Sequence, residues 1–316
     1  MEFLALVFMG TPVWMWLSFM AVVVAMLAVD LGLFHKDAAE IGVAESLRMS
    51  AVYITMGLAF SLFVGWQMGG AAASNYLTAF VVEKSLSMDN VFVMALIFSS
   101  LAIPRALQHR VLFWGVLGVI LLRGLMIGVG ATLVAEYHWV LYIFAAFLIL
   151  TGIRMLFAKD DHAPMDNAGV RWLKARLRMT EGLEGESFFV KREGLWFATP
   201  LFLALIMVET ADLIFAVDSV PAVFAITADP FLVYTSNIFA ILGLRALYFA
   251  LSAILHRFAY LKYALSALLI FIGSKMFIAD WLDWEKFPAS LSLGITAAIL
   301  TTGIVVSLWK TRDVQA

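Results

Sequence analysis

Nine long apolar stretches dominate the chain and limit what it can fold into. They cover residues 13–34, 48–68, 75–99, 109–133, 138–157, 196–226, 231–255, 260–281 and 288–309. A membrane-spanning helix needs about 20 mostly apolar residues, whereas a membrane-spanning strand has about 10 and alternates in polarity. The sequence therefore predicts an all-α membrane bundle of about nine transmembrane helices, built as a single domain over residues 1–316.

The composition excludes most other classes of protein. Hydrophobic residues make up 63% of the chain and charged residues only 14%, which is too few to cover a water-exposed surface. The net charge of −2 argues against a basic nucleic-acid-binding protein. The absence of cysteine excludes disulfides, thiolate metal sites and cysteine nucleophiles. What remains is an integral membrane protein with many spans, and we expect it to be no enzyme and to hold no tightly bound cofactor.

Basic residues are distributed unevenly between the two sides of the predicted bundle. Sixteen of the 21 Lys and Arg residues fall in loops on one side, and Lys286 alone falls on the other. Because cytoplasmic loops carry the excess of Lys and Arg, the N-terminus is predicted to lie outside and the C-terminus in the cytoplasm. The other four basic residues lie within the spans: Lys84, Arg123, Arg245 and Lys275.

The loop at 158–195 is the only hydrophilic segment of any size. Within it, residues 170–179 place Leu173 and Leu177 on one helical face, with basic residues over much of the remaining surface. Two interpretations stay open for this segment. It forms either a short helix on the cytoplasmic leaflet or an ordinary solvated connector.

An acidic motif occurs twice in the apolar sequence. Glu83 is followed six residues later by Asp89, and Asp212 is followed six residues later by Asp218. A small polar residue and a valine come after each aspartate, and a single arginine appears in the next span, Arg123 after the first motif and Arg245 after the second. Three spans separate the two motifs, so they cross the membrane in opposite directions. The pattern predicts an inverted repeat of spans 3–5 and 6–8, an arrangement common in transporters with a site near the midplane.

Six carboxylates within the apolar stretches are expensive to bury. They are Asp30, Glu83, Asp89, Glu209, Asp212 and Asp218. An acid at the bilayer centre costs roughly 2.5–3.5 kcal/mol, so the six cannot all face lipid. One interpretation is that the four intramembrane basic residues pair with the acids and lock the helices together. The other is that the acids bind a transported cation, and that the basic residues hold the acids when the cation is absent.

The available ligands favour a hard divalent cation. Carboxylate, carbonyl and hydroxyl oxygens suit Mg²⁺, Ca²⁺ and Mn²⁺. All five histidines lie in loops or at span ends, and there is no cysteine, which argues against a zinc or copper site. The residues that follow the motif aspartates, Asn90 and Ser219, are candidate auxiliary ligands, as is Asp30. Asn237 is predicted to make a helix-packing hydrogen bond.

The spacing within each motif sets a geometric condition. Residues six apart on a straight helix point about 120° apart, so both acids of a motif reach one ion only where the helix kinks or unwinds. Pro221 predicts such a break, because proline cannot donate a hydrogen bond to the carbonyl of Val217. That carbonyl, next to Asp218, would then be a further ligand.

Three stretches carry a resemblance to a known family. Residues 83–93, 212–222 and 235–249 resemble the TerC family of membrane proteins, most closely its Alx-like branch. The resemblance extends from Asp30-Leu31-Gly32 to the last span. It implies manganese export across the bacterial inner membrane, kinship with cation/proton exchangers, an association with tellurite resistance, and a link of this branch to alkaline pH. It also implies that Glu83, Asp89, Glu209, Asp212 and Asp218 are the functional acids.

The resulting hypothesis is an alternating-access exporter of Mn²⁺ that exchanges the metal for protons at the carboxylate site. Crowded carboxylates that retain protons are the reason for expecting proton exchange. Three alternatives stay open. The cargo is Ca²⁺ or another ion, the chain is an intramembrane aspartyl protease, or it is a non-transporting membrane protein that responds to metal or pH. An acidic interior argues against an oxyanion cargo, and neither Asp89 nor Asp218 has the glycine motif that accompanies a protease dyad.

Overall fold

The computed structural model describes residues 6–34, 43–137, 139–157, 176–251, 260–284 and 287–311. At positions 30–34, 43, 88, 89, 92, 96, 218, 245, 251, 261 and 289 it describes the backbone and not the side chain. The helices are α1 (Val13–Phe34), α2 (Val43–Met68), α3 (Gly70–Ser100), α4 (Arg105–Glu136), α5 (Val140–Phe157), α6 (Pro200–Phe224), α7 (Pro230–Leu242), α8 (Leu244–Leu251), α9 (Leu261–Trp281) and α10 (Ala289–Lys310). Two short hairpins pair β1 (Val7–Phe8) with β2 (Thr11–Pro12), and β3 (Phe189–Arg192) with β4 (Leu195–Ala198).

The helices confirm the predicted membrane bundle. In the described ranges, seven helical segments are long and apolar enough to cross a membrane, and Val13–Val29 adds a shorter apolar helix. The nine predicted stretches correspond in order to α1 to α6, to α7 and α8 together, to α9 and to α10. Large apolar side chains on the outside of the bundle, such as Leu121 and Leu150, are exposed, as expected for surfaces that face lipid.

Two local differences from the sequence expectations have simple causes. Residues 196–198 belong to strand β4 and not to the sixth span, because a short apolar run fits a strand as well as a helix. Helix α6 begins at Pro200 instead, where proline at the first position needs no hydrogen-bond partner. The break expected at Pro221 is absent, since α6 stays helical to Phe224; the proline lies in the last turn, where it disturbs only one hydrogen bond.

The predicted interfacial helix at 170–179 lies mostly outside the described residues. Its end is described and runs beside strand β4. The N–H of Ala198 donates to the carbonyl of Arg178, and the N–H of Thr180 donates to the carbonyl of Ala198, at 2.8 and 3.0 Å. The ring of Phe189 packs against that of Phe202 at 4.2 Å, which fixes the β3–β4 hairpin to the start of α6.

The seventh span is broken. Helix α7 ends at Leu242, Gly243 forms a turn, and α8 starts at Leu244. A Cβ atom at Gly243 would come within 2.8 Å of Lys84 Nζ and 3.0 Å of Tyr53 Cβ, so a larger residue here would have to displace the lysine ammonium and shift against Tyr53. The corresponding helix of the first half, α4, runs without interruption from Arg105 to Glu136.

Helix packing agrees with the predicted inverted repeat. Helix α3 packs on α7, and α4 packs on α6. In the predicted repeat α3 corresponds to α6 and α4 corresponds to α7, so the two contacts are equivalent. The contact between α5 and α9 is the most extensive in the bundle. A Cβ at Gly152 would meet the carbonyl oxygen of Ser266 at 2.8 Å, and a Cβ at Gly273 would meet that of Ala145 at 2.5 Å.

This crossing of α5 and α9 has twofold character. Gly152 lies seven residues after Ala145, and Gly273 lies seven residues after Ser266, so each helix offers the other the same pair of positions. Small residues allow the two backbones to approach closely, as is common between membrane helices. The two halves of the chain therefore meet here by equivalent surfaces.

Candidate functional site

A buried arginine brings the two acidic helices together at the centre of the bundle. Arg123 of α4 is 1% exposed. Its Nη1 atom donates to Glu83 Oε1 of α3 at 2.6 Å, and its Nε atom donates to Asp212 Oδ2 of α6 at 3.3 Å. Nη1 also donates to Ser219 Oγ at 2.8 Å and to Asn237 Oδ1 at 3.2 Å. One guanidinium thus contacts three helices besides its own.

The two repeats exchange hydrogen bonds around this arginine. Asn90 Nδ2 donates to Asp212 Oδ1 at 3.0 Å, and Ser219 Oγ donates to Glu83 Oε1 at 3.4 Å. Asn90 and Ser219 hold the same position in the two motifs, directly after the motif aspartate. Each repeat therefore binds the first acid of the other repeat, and the site has the pseudo-twofold symmetry that the sequence predicts.

Several buried polar atoms of this cluster have no hydrogen-bond partner among the side chains that the structure describes. They are Glu83 Oε2, Asn90 Oδ1 and Asn237 Nδ2. Because Asn90 Nδ2 donates to the carboxylate of Asp212, Asn90 Oδ1 points away from that carboxylate. Buried acceptors without a donor are costly, and two oxygens in this state beside a carboxylate suit a bound cation.

Glu209 lies apart from the arginine cluster, although it is on the same helix as Asp212. Both of its carboxylate oxygens are buried and have no hydrogen-bond partner among the described residues. The carboxylate lies against two glycines of α4: a Cβ at Gly118 would come within 2.6 Å of Glu209 Cδ, and one at Gly115 within 3.6 Å of Oε1. A cavity of about 10 Å³, lined by Gly115 and Asp212 among others, lies next to this position.

The two intramembrane lysines that are described have no ion pair with any described acid. Lys84 Nζ donates to the carbonyl of Ala240 at 3.0 Å, in the last turn of α7. Lys275 is 5% exposed, and its Nζ contacts Ser292 Oγ of α10 at 3.5 Å. Of the described basic residues proposed as counter-charges, Arg123 alone has acidic partners within the bundle.

Other predicted site residues are only partly described. The side chains of Asp30, Asp89, Asp218 and Arg245 lie outside the described part of the structure. Val217 is 49% exposed on α6. In the ranges that are described, no three acidic or histidine side chains converge on a point that could hold a metal ion. Of the five predicted acids, Glu83 and Asp212 thus meet at Arg123, Glu209 lies apart, and the side chains of Asp89 and Asp218 are not described.

The predicted helix-packing hydrogen bond of Asn237 is confirmed, but sequence reasoning did not place this residue at the site and missed the roles of the two glycines. Asn237 is fully buried and accepts a hydrogen bond from the arginine at the centre of the site. Gly115 and Gly118 make room for Glu209. An alignment of α4 with the seventh span by Arg123 and Arg245 would have drawn attention to these positions, because it places Gly115 opposite Asn237 and Gly118 opposite Ala240.

Comparison with known proteins identifies the family. The sequence pattern of the "Integral membrane protein TerC family" matches residues 68–315. The chain belongs to the TerC family. The matched part of this TerC protein includes Arg123, all of its described partners, Glu209 and both described lysines, whereas α1 and most of α2 precede it.

Relatives of this TerC protein cover nearly its whole length. "Putative membrane-bound redox modulator Alx" of Salmonella typhi is 46% identical over 310 residues, which is 95% of each chain, and the protein of that name from Escherichia coli (strain K12) gives the same values. "Uncharacterized membrane protein STKORF319" of Myxococcus xanthus is 44% identical over 304 residues, which is 96% of this chain and 94% of that one. No solved structure matches the chain.

Proposed function

We propose that this TerC protein exports Mn²⁺ from the cytoplasm across the bacterial inner membrane, in exchange for protons. The observation that carries the proposal is the buried cluster of Glu83, Asp212 and Arg123, which joins the two inverted repeats at one point. Intramembrane acids that face a bundle interior are typical of cation pathways, and inverted repeats typically place the substrate site at their interface.

Arg123 is the counter-ion of the site when no metal is bound. Two ionised carboxylates buried at 1% and 2% exposure need a positive charge nearby, and the guanidinium provides it. A divalent cation that binds Glu83 and Asp212 replaces this charge, so Arg123 has to move away from at least one of them. In this way binding of the cargo is coupled to a change in the contacts among α3, α4 and α6.

The remaining ligands come from oxygens on the same helices. Glu83 Oε2 and Asn90 Oδ1, which have no hydrogen-bond partner within the described part of the chain, would bind the cation. The motif aspartates Asp89 and Asp218 are adjacent in sequence to Asn90 and Ser219, which link the repeats. Mn²⁺ and Ca²⁺ take the same oxygen donors, so the size of the site decides between them. On the outward-facing side, protons replace the metal on the carboxylates.

Flux of Mn²⁺ into proteoliposomes tests the proposal. We expect Glu83→Gln and Asp212→Asn to abolish flux, while Glu136→Gln, which neutralises an exposed acid at the end of α4, leaves it unchanged. Competition by Ca²⁺ and Mg²⁺ ranks the cargo, and an imposed pH gradient should change the rate. A folded protein without flux of any of the three ions would overturn the proposal, and flux indifferent to the pH gradient would remove proton exchange.

A redox role is the alternative that the names of the Alx relatives suggest. The chain has no cysteine, so a thiol–disulfide couple of its own is not available. Manganese is itself a redox-active metal, and control of its concentration would connect a carboxylate transport site with redox balance. The flux assay separates the two ideas, because a redox protein that does not transport gives no Mn²⁺ flux.

A further inference from the structure

The small cavity beside the arginine cluster combines two kinds of donor atom. Nine described residues of α3, α4, α6, α7 and α8 line it. Among these nine, only Asp212 of α6 and Met94 of α3 have a side-chain atom other than carbon. The volume of about 10 Å³ leaves room for about one water molecule or one ion. One carboxylate and one thioether therefore border the same small space.

Met94 is placed beside the site by its neighbour on α3. It lies four residues after Asn90, so the two side chains are on the same face of the helix. Asn90 Nδ2 donates to Asp212 Oδ1 at 3.0 Å, which holds this face of α3 against α6. Met94 is 6% exposed. Because Met94 and Asp212 border a space the size of one ion, a cation that binds Asp212 from the cavity also contacts Met94.

The two donors differ in the cations that they prefer. Carboxylate oxygens bind Mg²⁺, Ca²⁺ and Mn²⁺ alike, whereas a thioether sulfur is a soft donor that favours d-block cations. The other side chains that line the cavity are apolar, so they cannot replace the water ligands that an entering cation loses. The Met94 sulfur is thus a ligand that d-block cations can use and that Ca²⁺ and Mg²⁺ use poorly.

A buried methionine can also serve packing alone. Met94 belongs to an apolar cluster that includes Met207 of α6, which is 5% exposed and is not among the residues that line the cavity. Leucine fills nearly the same volume as methionine, so an exchange of the two is usually well tolerated in a core. Replacing each methionine by leucine therefore distinguishes a ligand from a packing residue.

We propose that Met94 determines which divalent cations the protein accepts: its sulfur binds the cation together with Asp212 and favours Mn²⁺ and other d-block cations over Ca²⁺ and Mg²⁺. This inference rests on the proposed export of a divalent cation, and it names the class of the cargo. Carboxylates alone distinguish Mn²⁺ from Ca²⁺ only by the size and ligand number of the site. The sulfur adds a preference that does not depend on size.

Competition between two cations of similar size tests this preference. Cd²⁺ and Ca²⁺ have similar ionic radii, but only Cd²⁺ binds sulfur strongly. Each is added during Mn²⁺ flux into proteoliposomes, and the concentration that halves the flux is measured. In the parent we expect Cd²⁺ to inhibit at the lower concentration. Met94→Leu should reduce the ratio of the Ca²⁺ to the Cd²⁺ concentration about tenfold, because a metal–sulfur bond is lost, while Met207→Leu should resemble the parent.

X-ray absorption by bound Cd²⁺ detects the ligand directly. Because the chain has no cysteine, a sulfur neighbour of the metal can come only from methionine. We expect this neighbour in the purified parent and in Met207→Leu, and not in Met94→Leu. Protein in which selenomethionine replaces every methionine should show selenium in place of sulfur, and this measurement requires no substitution in the core.

The outcomes separate this inference from the proposed function. Flux that depends on Asp212, without a sulfur neighbour of Cd²⁺ in the parent, would overturn the inference and leave the exporter. The same holds if Met94→Leu keeps the sulfur neighbour or the competition of the parent. Absence of flux in the parent, or flux unchanged by Asp212→Asn, would instead remove the exporter itself. If Met94→Leu fails to fold, the parent and the selenomethionine protein still decide whether a methionine binds the metal.

Discussion

Replacing Arg123 by methionine is the most direct test of the buried charge cluster. The substitution removes the only described positive charge that contacts Glu83 and Asp212, and methionine keeps most of the side-chain volume. It also takes away the donor that Ser219 Oγ and Asn237 Oδ1 accept from. Two acids at 1% and 2% exposure are then left in the bundle without a described basic partner.

The size of the effect follows from the cost of an uncompensated buried charge. Removal of one partner from a buried ion pair typically costs about 3–5 kcal/mol, and here one cation serves two acids. A destabilisation of 1 kcal/mol lowers the unfolding midpoint of a 150–250-residue protein by about 2–4 °C. We therefore expect Arg123→Met to lower the midpoint by about 10 °C when Glu83 and Asp212 are both retained.

Thermal unfolding in detergent measures this effect, and a variant without the buried acids provides the control. The triple variant Glu83→Gln, Arg123→Met, Asp212→Asn has no buried charge at the cluster, so it should recover much of the lost stability. Leu125→Met, at a lipid-facing position with 66% exposure, controls for the methionine itself. The reasoning would be refuted by an Arg123→Met midpoint equal to that of Leu125→Met, or by a triple variant no more stable than Arg123→Met.

Three further predictions concern other parts of the molecule. Gly273→Ala should destabilise the protein by about 1–3 kcal/mol, because its Cβ would meet a backbone carbonyl of α5, while Gly294→Ala, with no described atom within 4 Å, should not; thermal unfolding compares the two. Asp229 caps α7 by accepting from two backbone N–H groups at 2.9 and 3.3 Å, so Asp229→Ala should cost about 1 kcal/mol and Asp229→Asn much less. Burial raises the pKa of the Asp229 carboxyl in the folded protein above its value in the unfolded chain. The contribution of Asp229 to stability is therefore fully present below the unfolded pKa and declines as the pH rises through the folded pKa. Unfolding of Asp229→Asn, followed across the same pH range, should lack this decline. Single cysteines in place of Glu181 and Asp283, both exposed in loops, should be labelled from opposite sides of the membrane, and labelling from the same side would contradict the order of spans.

Much of the architecture follows from hydropathy, because a bilayer leaves a chain few ways to bury its backbone polar groups. The order of the spans and the repeat were predictable for that reason. The break in the seventh span was not. Gly243 is one glycine in a long apolar stretch, and its effect depends on Lys84 and Tyr53, which come from other helices. The strand at 195–198 was not predictable either, because a short apolar run does not distinguish a strand from a helix.

The site was predictable in its chemistry more than in its geometry. The cost of an intramembrane charge was enough to place Glu83, Asp212 and Arg123 among the candidate residues, but not to show which acids the arginine contacts. The separate position of Glu209 was not, because residues three apart on a helix share a face, and the glycines of α4 decide where the carboxylate fits. Lys84 follows Glu83 directly in sequence, yet it reaches away from the acids to the end of α7.

The partners of Arg123 also bear on how the protein is made. Glu83 and Arg123 both belong to the first half of the chain, so their ion pair can form as soon as α3 and α4 are in the bilayer. Asp212, Ser219 and Asn237 are synthesised later and join a pair that is already neutral. Neither Glu83 nor Arg123 therefore has to stay unpaired in the lipid while the ribosome completes the second half, and the later spans close the site around an arginine that is already in position.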